Sequence, residues 1–152
     1  MNSIQNVKKF VVTAPAAIYD NASLTCNVID TAGYDAVAID LVLGATDIAM
    51  TALKLQESDN SGMSGAADIT GLVYGTSAGI AGTTSALPSA DDDDKCFAFE
   101  VDLRGRKRYI DLVATVGNGS AGTYITAFAL LSRASDCPVS ASERNYGTIL
   151  RV

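Results

Sequence analysis

Four consecutive carboxylates, Asp91-Asp92-Asp93-Asp94, form the densest run of one charge in the chain and lead into Lys95. A hard cation such as Ca²⁺ takes about six to eight oxygen ligands, and carboxylates supply them. The spacing is not that of an EF-hand loop, and neighbouring side chains of an extended chain point to opposite sides. Asp91, Asp92, Asp93 and Asp94 are therefore a weak calcium candidate and otherwise a solvated acidic loop ahead of a strand. The one basic cluster is Arg104-Gly105-Arg106-Lys107-Arg108. Arg104, Arg106, Lys107 and Arg108 would present a positive tip to an acidic patch on a partner or to a phosphate. The alternative is that they pair with Glu100, Asp102 and Asp111 across two strands, for about 0.2–1 kcal/mol each.

Little else in the chain suits bond chemistry. Histidine is absent, which excludes Ser-His-Asp and Cys-His mechanisms and every His-ligated metal site. A hydroxyl nucleophile would need a lysine or N-terminal base, yet Lys54 and Lys107 fall in strand or turn positions with no Ser-x-x-Lys pattern. Asp40, Asp47, Glu57 and Asp111 show no spacing that sets one acid–base pair apart. Gly117-Asn118-Gly119 precedes a strand where a dinucleotide site needs a helix, and no phosphate-binding loop occurs. No enzyme and no cofactor are expected. Cys26, Cys96 and Cys137 are odd in number and lack a CxxC pair, so they read as reduced thiols packed as small hydrophobes.

The elements that must position these groups alternate with a period of two. Val37, Ile39, Leu41 and Leu43 share one strand face, and Ala36, Ala38, Asp40 and Val42 the other. Leu53 and Leu55 oppose Lys54 and Gln56 in a strand over 50–57, which ends in the polar turn Glu57-Ser58-Asp59-Asn60-Ser61-Gly62. Phe97, Phe99, Val101 and Leu103 share a face, as do Ile110, Leu112, Ala114 and Val116. A third strand, over 123–132, follows Gly117-Asn118-Gly119-Ser120-Ala121-Gly122. These last three strands, joined by two short turns, read as an antiparallel meander. Weaker strands fall at 10–13, 24–29 and 70–74. Frequent short strands between glycine-rich turns predict an all-β, antiparallel β-sandwich or jelly-roll-like single domain with extended terminal arms.

With 152 residues the chain suits one domain. The expected division is an N-terminal arm over 1–20, a sandwich over 21–134 with a long loop at 75–95, and a C-terminal arm or last strand over 135–152. Residues 75–90 are poor in bulk and charge and read as a long loop that cannot order itself and is laid over the domain or over a partner. The tail is oddly apolar at Tyr146, Ile149, Leu150 and Val152, which suits an arm reaching a neighbour. The net charge of −6 disfavours nucleic acid as a partner. No apolar stretch follows Lys8 and Lys9, and the longest apolar run, 36–43, is broken by Asp40. It is far short of the ~20 residues of a membrane span, so neither a signal peptide nor a membrane partner is expected. Charged residues make up 18% of the chain, below the ~25% of ordinary globular proteins, which suits a protein packed against neighbours.

Three segments occur in order: Gly33-Tyr34-Asp35-Ala36-Val37, then Leu53-Lys54-Leu55-Gln56-Glu57-Ser58-Asp59-Asn60, then Gly105-Arg106-Lys107-Arg108-Tyr109 with the alanine-containing strand after it. The pattern, over about residues 30–132, resembles the capsid decoration (cement) proteins of tailed bacteriophages. The resemblance implies a virion structural protein, made in the host cytoplasm, that binds the outer surface of the head and stabilises it by bridging capsomers. Its partners would be the major capsid protein and itself, as a homotrimer at local three-fold positions. Residues 1–20 and 135–152 would then be the arms, and the 104–108 turn a charged contact. The alternatives are a sugar- or receptor-binding jelly roll of a virion and a head–tail connector or tail component.

Overall fold

The computed structural model describes residues 6–13, 18–135 and 140–150. Among these residues there are nine β-strands and no helix: β1 (Lys8–Thr13), β2 (Ile18–Tyr19), β3 (Ile29–Asp30), β4 (Tyr34–Leu43), β5 (Met50–Ser58), β6 (Ala67–Val73), β7 (Cys96–Asp102), β8 (Tyr109–Val116) and β9 (Thr123–Ala134). The period of two is what selects strand over helix, because it gathers apolar side chains on one face only when successive residues point oppositely. Val37, Ile39, Leu41 and Leu43 of β4 are buried, as are Leu53 and Leu55 of β5. So are Ile110, Leu112, Ala114 and Val116 of β8 and Ile125, Ala127, Ala129 and Leu131 of β9.

The pairing is nested. β5 pairs with β6, β4 with β7, β3 with β8, and β1 and β2 with β9, all antiparallel. The chain is thus doubled back about the turn at residues 59–66. The doubled ribbon is then wound, so that β4 also joins β9 and β5 also joins β8. Two sheets result: β1-β9-β4-β7 with β2 alongside β9 (sheet one), and β3-β8-β5-β6 (sheet two). This is the winding of a jelly roll, and the buried rows of both sheets close on each other as one core. Each fully buried Leu or Ile there contributes about 1.5–3 kcal/mol.

This winding replaces the expected meander. β7 and β9 lie in sheet one while β8 lies in sheet two between β3 and β5, so none of the three pairs with the next. The turns at 103–108 and 117–122 cross between sheets. Alternation decides which face is buried, not which strand lies alongside, and both arrangements bury the same residues. The expected strand at 24–29 shrinks to β3, preceded by a bridge from Ser23 to Thr115.

Both expected arms are partly built into the domain. Residues 8–13 of the N-terminal segment are strand β1, with Val12 fully buried, so that part is no free arm. Residues 140–150 form neither a strand nor a detached arm. They turn back along the free edge of β1, where Lys9 N–H donates to Arg144 O at 3.2 Å. Asn27 covers the rest of that edge through its N–H to Val12 O and its amide to Val11 O. An edge covered in this way cannot template a foreign strand.

The loop over 75–90 lies on the domain, one of the two placements expected for it, but it also makes regular structure of its own, which was not expected. Residues 77–85 make a small hairpin, with Gly79 N–H on Thr83 O and Ser85 N–H on Ser77 O, both at 2.8 Å. Leu87 then packs against the core, and the carbonyl of buried Pro88 accepts Met50 N–H. Self-satisfied backbone groups and two apolar anchors supply what side-chain bulk does not.

Candidate functional site

The turn between β7 and β8 carries the basic cluster, and each of its cations is paired. Arg104 hydrogen-bonds back to the Asp102 carboxylate. Arg106 lies 3.4 Å from Glu57, whose other oxygen accepts Lys107 N–H at 3.2 Å. The Lys107 ammonium is 3.7 Å from Asp59. Arg108 makes a two-pronged ion pair with Asp30. Hydrogen bonds from Arg104 hold the Asp102 carboxyl well below the usual range, and those from Arg108 lower Asp30. Of the partners expected from sequence only Asp102 is used. Glu57, Asp59 and Asp30 are brought in because the turn crosses between sheets, beside the ends of β5 and β3. The cluster is internally neutralised and clasps one end of the sandwich; it is no positive tip.

The acidic run disperses. Asp92 accepts hydrogen bonds from Lys95 at 2.7 Å and from the N–H and hydroxyl of Ser89, which hold its carboxyl at about 2. Asp93 accepts Thr46 N–H at 2.7 Å and so ties the run to the turn after β4. Asp91 and Asp94 are exposed. Among the described residues no three Asp, Glu, Cys or His side chains converge as a metal site.

The tail residues separate in role. Arg144 is 5% exposed, donates to Val7 O at 3.1 Å, and stacks on Tyr146, which also carries the Lys9 ammonium 5.0 Å above its ring. Tyr146 is therefore committed within the fold. Ile149 is half-buried, Leu150 is 93% exposed, and Val152 lies outside the described residues.

Three features were not singled out from the sequence. Asp47, in the turn after β4, accepts the N–H groups of Ser120 and Ala121 at 2.5 Å each and Gly122 at 3.1 Å. These backbone donors hold its carboxyl below the usual range. Gly122 has φ +77°, and a Cβ there would lie 2.5 Å from Ile18, so only glycine lets the loop close on its carboxylate. Second, a groove of about 420 Å³ opens between β6, the 77–85 hairpin and β7. Tyr74 and Phe99 meet edge to face there, and Ile80 stands at the hairpin tip, 98% exposed. Nothing in the local sequence marks the groove, because β6 and β7 become neighbours only through the winding.

The third feature is the outer face of sheet one. Cross-strand register places Lys9, Leu130, Ala38 and Glu100 in one row, and Val11, Phe128, Asp40 and Ala98 in the next. Ile18 and Tyr124 continue the face, and Val11, Ile18 and Tyr124 are each at least 50% exposed. The outer face of sheet two instead carries Lys54, Gln56 and Asp68 in a hydrogen-bonded set. A signal was available in sequence: β4 and β9 are apolar on both faces, a pattern typical of strands covered on both sides.

Cys26 is half-buried and packs against the core, and burial together with the Asp111 charge pushes its thiol up to about 12. Cys96 is exposed rather than packed, and Cys137 lies outside the described residues. Comparison of the chain with family models, with curated proteins and with solved structures found no match.

Proposed function

We propose that this chain is a virion structural protein of the capsid decoration type, which docks on the outer surface of a phage head and stabilises it by bridging capsomers. The observation that supports the reading is the pair of apolar side chains that project from a hydrogen-bonded β unit. Ile80, at a hairpin tip, is 98% exposed and Leu150, in the tail, is 93% exposed. Side chains of this kind serve as anchors once a partner surface covers them. A subunit that touches several capsomers adds buried area at each seam, and many copies multiply the effect. The paired 104–108 turn acts in this reading as a clasp within the subunit and leaves docking to the apolar projections.

A sugar- or receptor-binding role would draw on the groove beside Tyr74. That hydroxyl, however, already donates to Ala98 O at 2.9 Å, which leaves the lining mostly apolar. The apolar lining favours docking over sugar recognition.

The test uses heads of the encoding phage from which the reading frame has been deleted. Added protein is expected to bind saturably, at a fixed ratio to the coat protein, and to raise the temperature at which heads open. Ile80→Asp and Leu150→Asp should weaken binding without altering the circular dichroism of the subunit. Heads that bind no protein, or purified wild-type particles that lack the chain, overturn the reading.

A further inference from the structure

We infer that the outer face of sheet one is a self-association surface, on which a second copy of the chain packs face to face about a two-fold axis. The face carries Leu130 and Phe128 in adjacent rows along its middle, with Asp40 beside Phe128, and one of those rows is charged at both ends. Lys9 stands on β1 at one edge and Glu100 on β7 at the other, in the same row. Neither has a carboxylate or cationic partner in the subunit among the described residues. The Lys9 ammonium rests over the Tyr146 ring, 5.0 Å from the ring centre.

A row with opposite charges at its two ends is complementary to its own reversed copy. An axis parallel to the strands, between β9 and β4, lays β1 of one copy over β7 of the other. Lys9 of each copy then meets Glu100 of the other, and Leu130 and Phe128 close the centre. Aligned sheets pack about 10 Å apart and rotated by about 30°. The row ends lie about 7 Å from the axis at the usual strand spacing of ~4.8 Å, so the rotation displaces them by about 4 Å, within reach of Lys and Glu side chains. Four strands by about seven residues cover a footprint of roughly 450 Å², a little over half of the ~800 Å² per partner of a standard interface, which makes the dimer a weak one. Asp40 lies in the covered region with no ion pair among the described residues, and the same axis sets it against Phe128 of the second copy. Covering that carboxylate costs affinity, so the association is concentration-dependent and Asp40→Asn tightens it.

This inference concerns copies in solution and does not rest on the head-binding reading. It also replaces the three-fold arrangement implied by the resemblance with a two-fold one. Sedimentation of the full chain up to about 500 μM is expected to show a species of twice the chain mass. Lys9→Glu and Glu100→Lys should each weaken the dimer at least about tenfold, and the double variant should restore it. Phe128→Asp should leave a folded monomer, as judged by circular dichroism. A monomer at every concentration, a trimer, or a dimer indifferent to the charge reversals overturns the inference, as does failure of the double variant to recover. A monomer that still binds heads would leave the decoration reading intact.

Discussion

Arg108 grips Asp30 with two hydrogen bonds of 2.8 Å across 78 residues of sequence, joining the start of β8 to β3. Both side chains are exposed. Around the 104–108 turn four cations face four carboxylates, three of them, Glu57, Asp59 and Asp30, drawn from distant parts of the chain and one, Asp102, local. A cluster that stands out in the sequence as free positive charge is spent inside the fold.

Exposed ion pairs are worth little and are screened by salt. Arg108→Ala is expected to lower the Tm by no more than about 3 °C at low salt, with the difference shrinking in ~1 M NaCl. Paired melts in the two buffers measure it. A large, salt-independent loss would mean that Arg108 packs rather than pairs.

Asp47 presents a steeper case, because three successive backbone donors depend on one carboxylate. Asp47→Ala should lower the Tm by several degrees at pH 7 and loosen the 117–122 loop, visible as faster amide exchange at residues 120–122. The folded group titrates below its unfolded value, so its stabilisation is present above about pH 4 and fades as pH falls through the folded value. Wild-type and variant melting curves should therefore converge toward pH 2.

Asp111 behaves oppositely. Burial raises its folded value, and its Oδ1 is buried without a hydrogen-bond partner. A raised value favours the fold fully below about pH 4, and that contribution is lost as pH rises through the folded value. At pH 7 the carboxylate is thus a liability. Asp111→Val should stabilise the protein by up to about 1 kcal/mol in urea unfolding at pH 7, solvent screening limiting the gain, with little effect near pH 3.

The two described thiols should separate in reactivity. At pH 8 a maleimide is expected to label Cys96, which is exposed, and to spare Cys26, whose thiol is pushed up to about 12. Peptide mapping after a timed pulse reads this directly. Cys26 should label only after denaturation, and equal labelling of both in the native protein would contradict the burial described.

Much of the fold was legible in the chain itself. The long strands β4, β5, β7, β8 and β9 lie within a few residues of where alternation puts them, and the residues predicted to share buried faces do so. The candidate contacts fared differently. Tyr146 reads as an apolar tail residue but serves as a platform for Lys9 and Arg144. The acidic run reads as one group, yet Asp92 and Asp93 turn to separate partners. In each case the deciding partner is remote or lies on another element, and no local pattern encodes it.

Alternation of apolar and polar side chains made this polypeptide all-β and chose the inward face of each long strand, because every second side chain of an extended chain must point the same way. Tertiary structure alone decided the order of the strands. Winding the doubled ribbon moved β8 out of the apparent meander into the opposite sheet and set β6 beside β7. It also lined up Lys9, Leu130, Ala38 and Glu100 in one row. Strand neighbours are set by backbone hydrogen bonds, which are the same for every residue, and by burial summed over both sheets; neither is written in any short stretch of sequence.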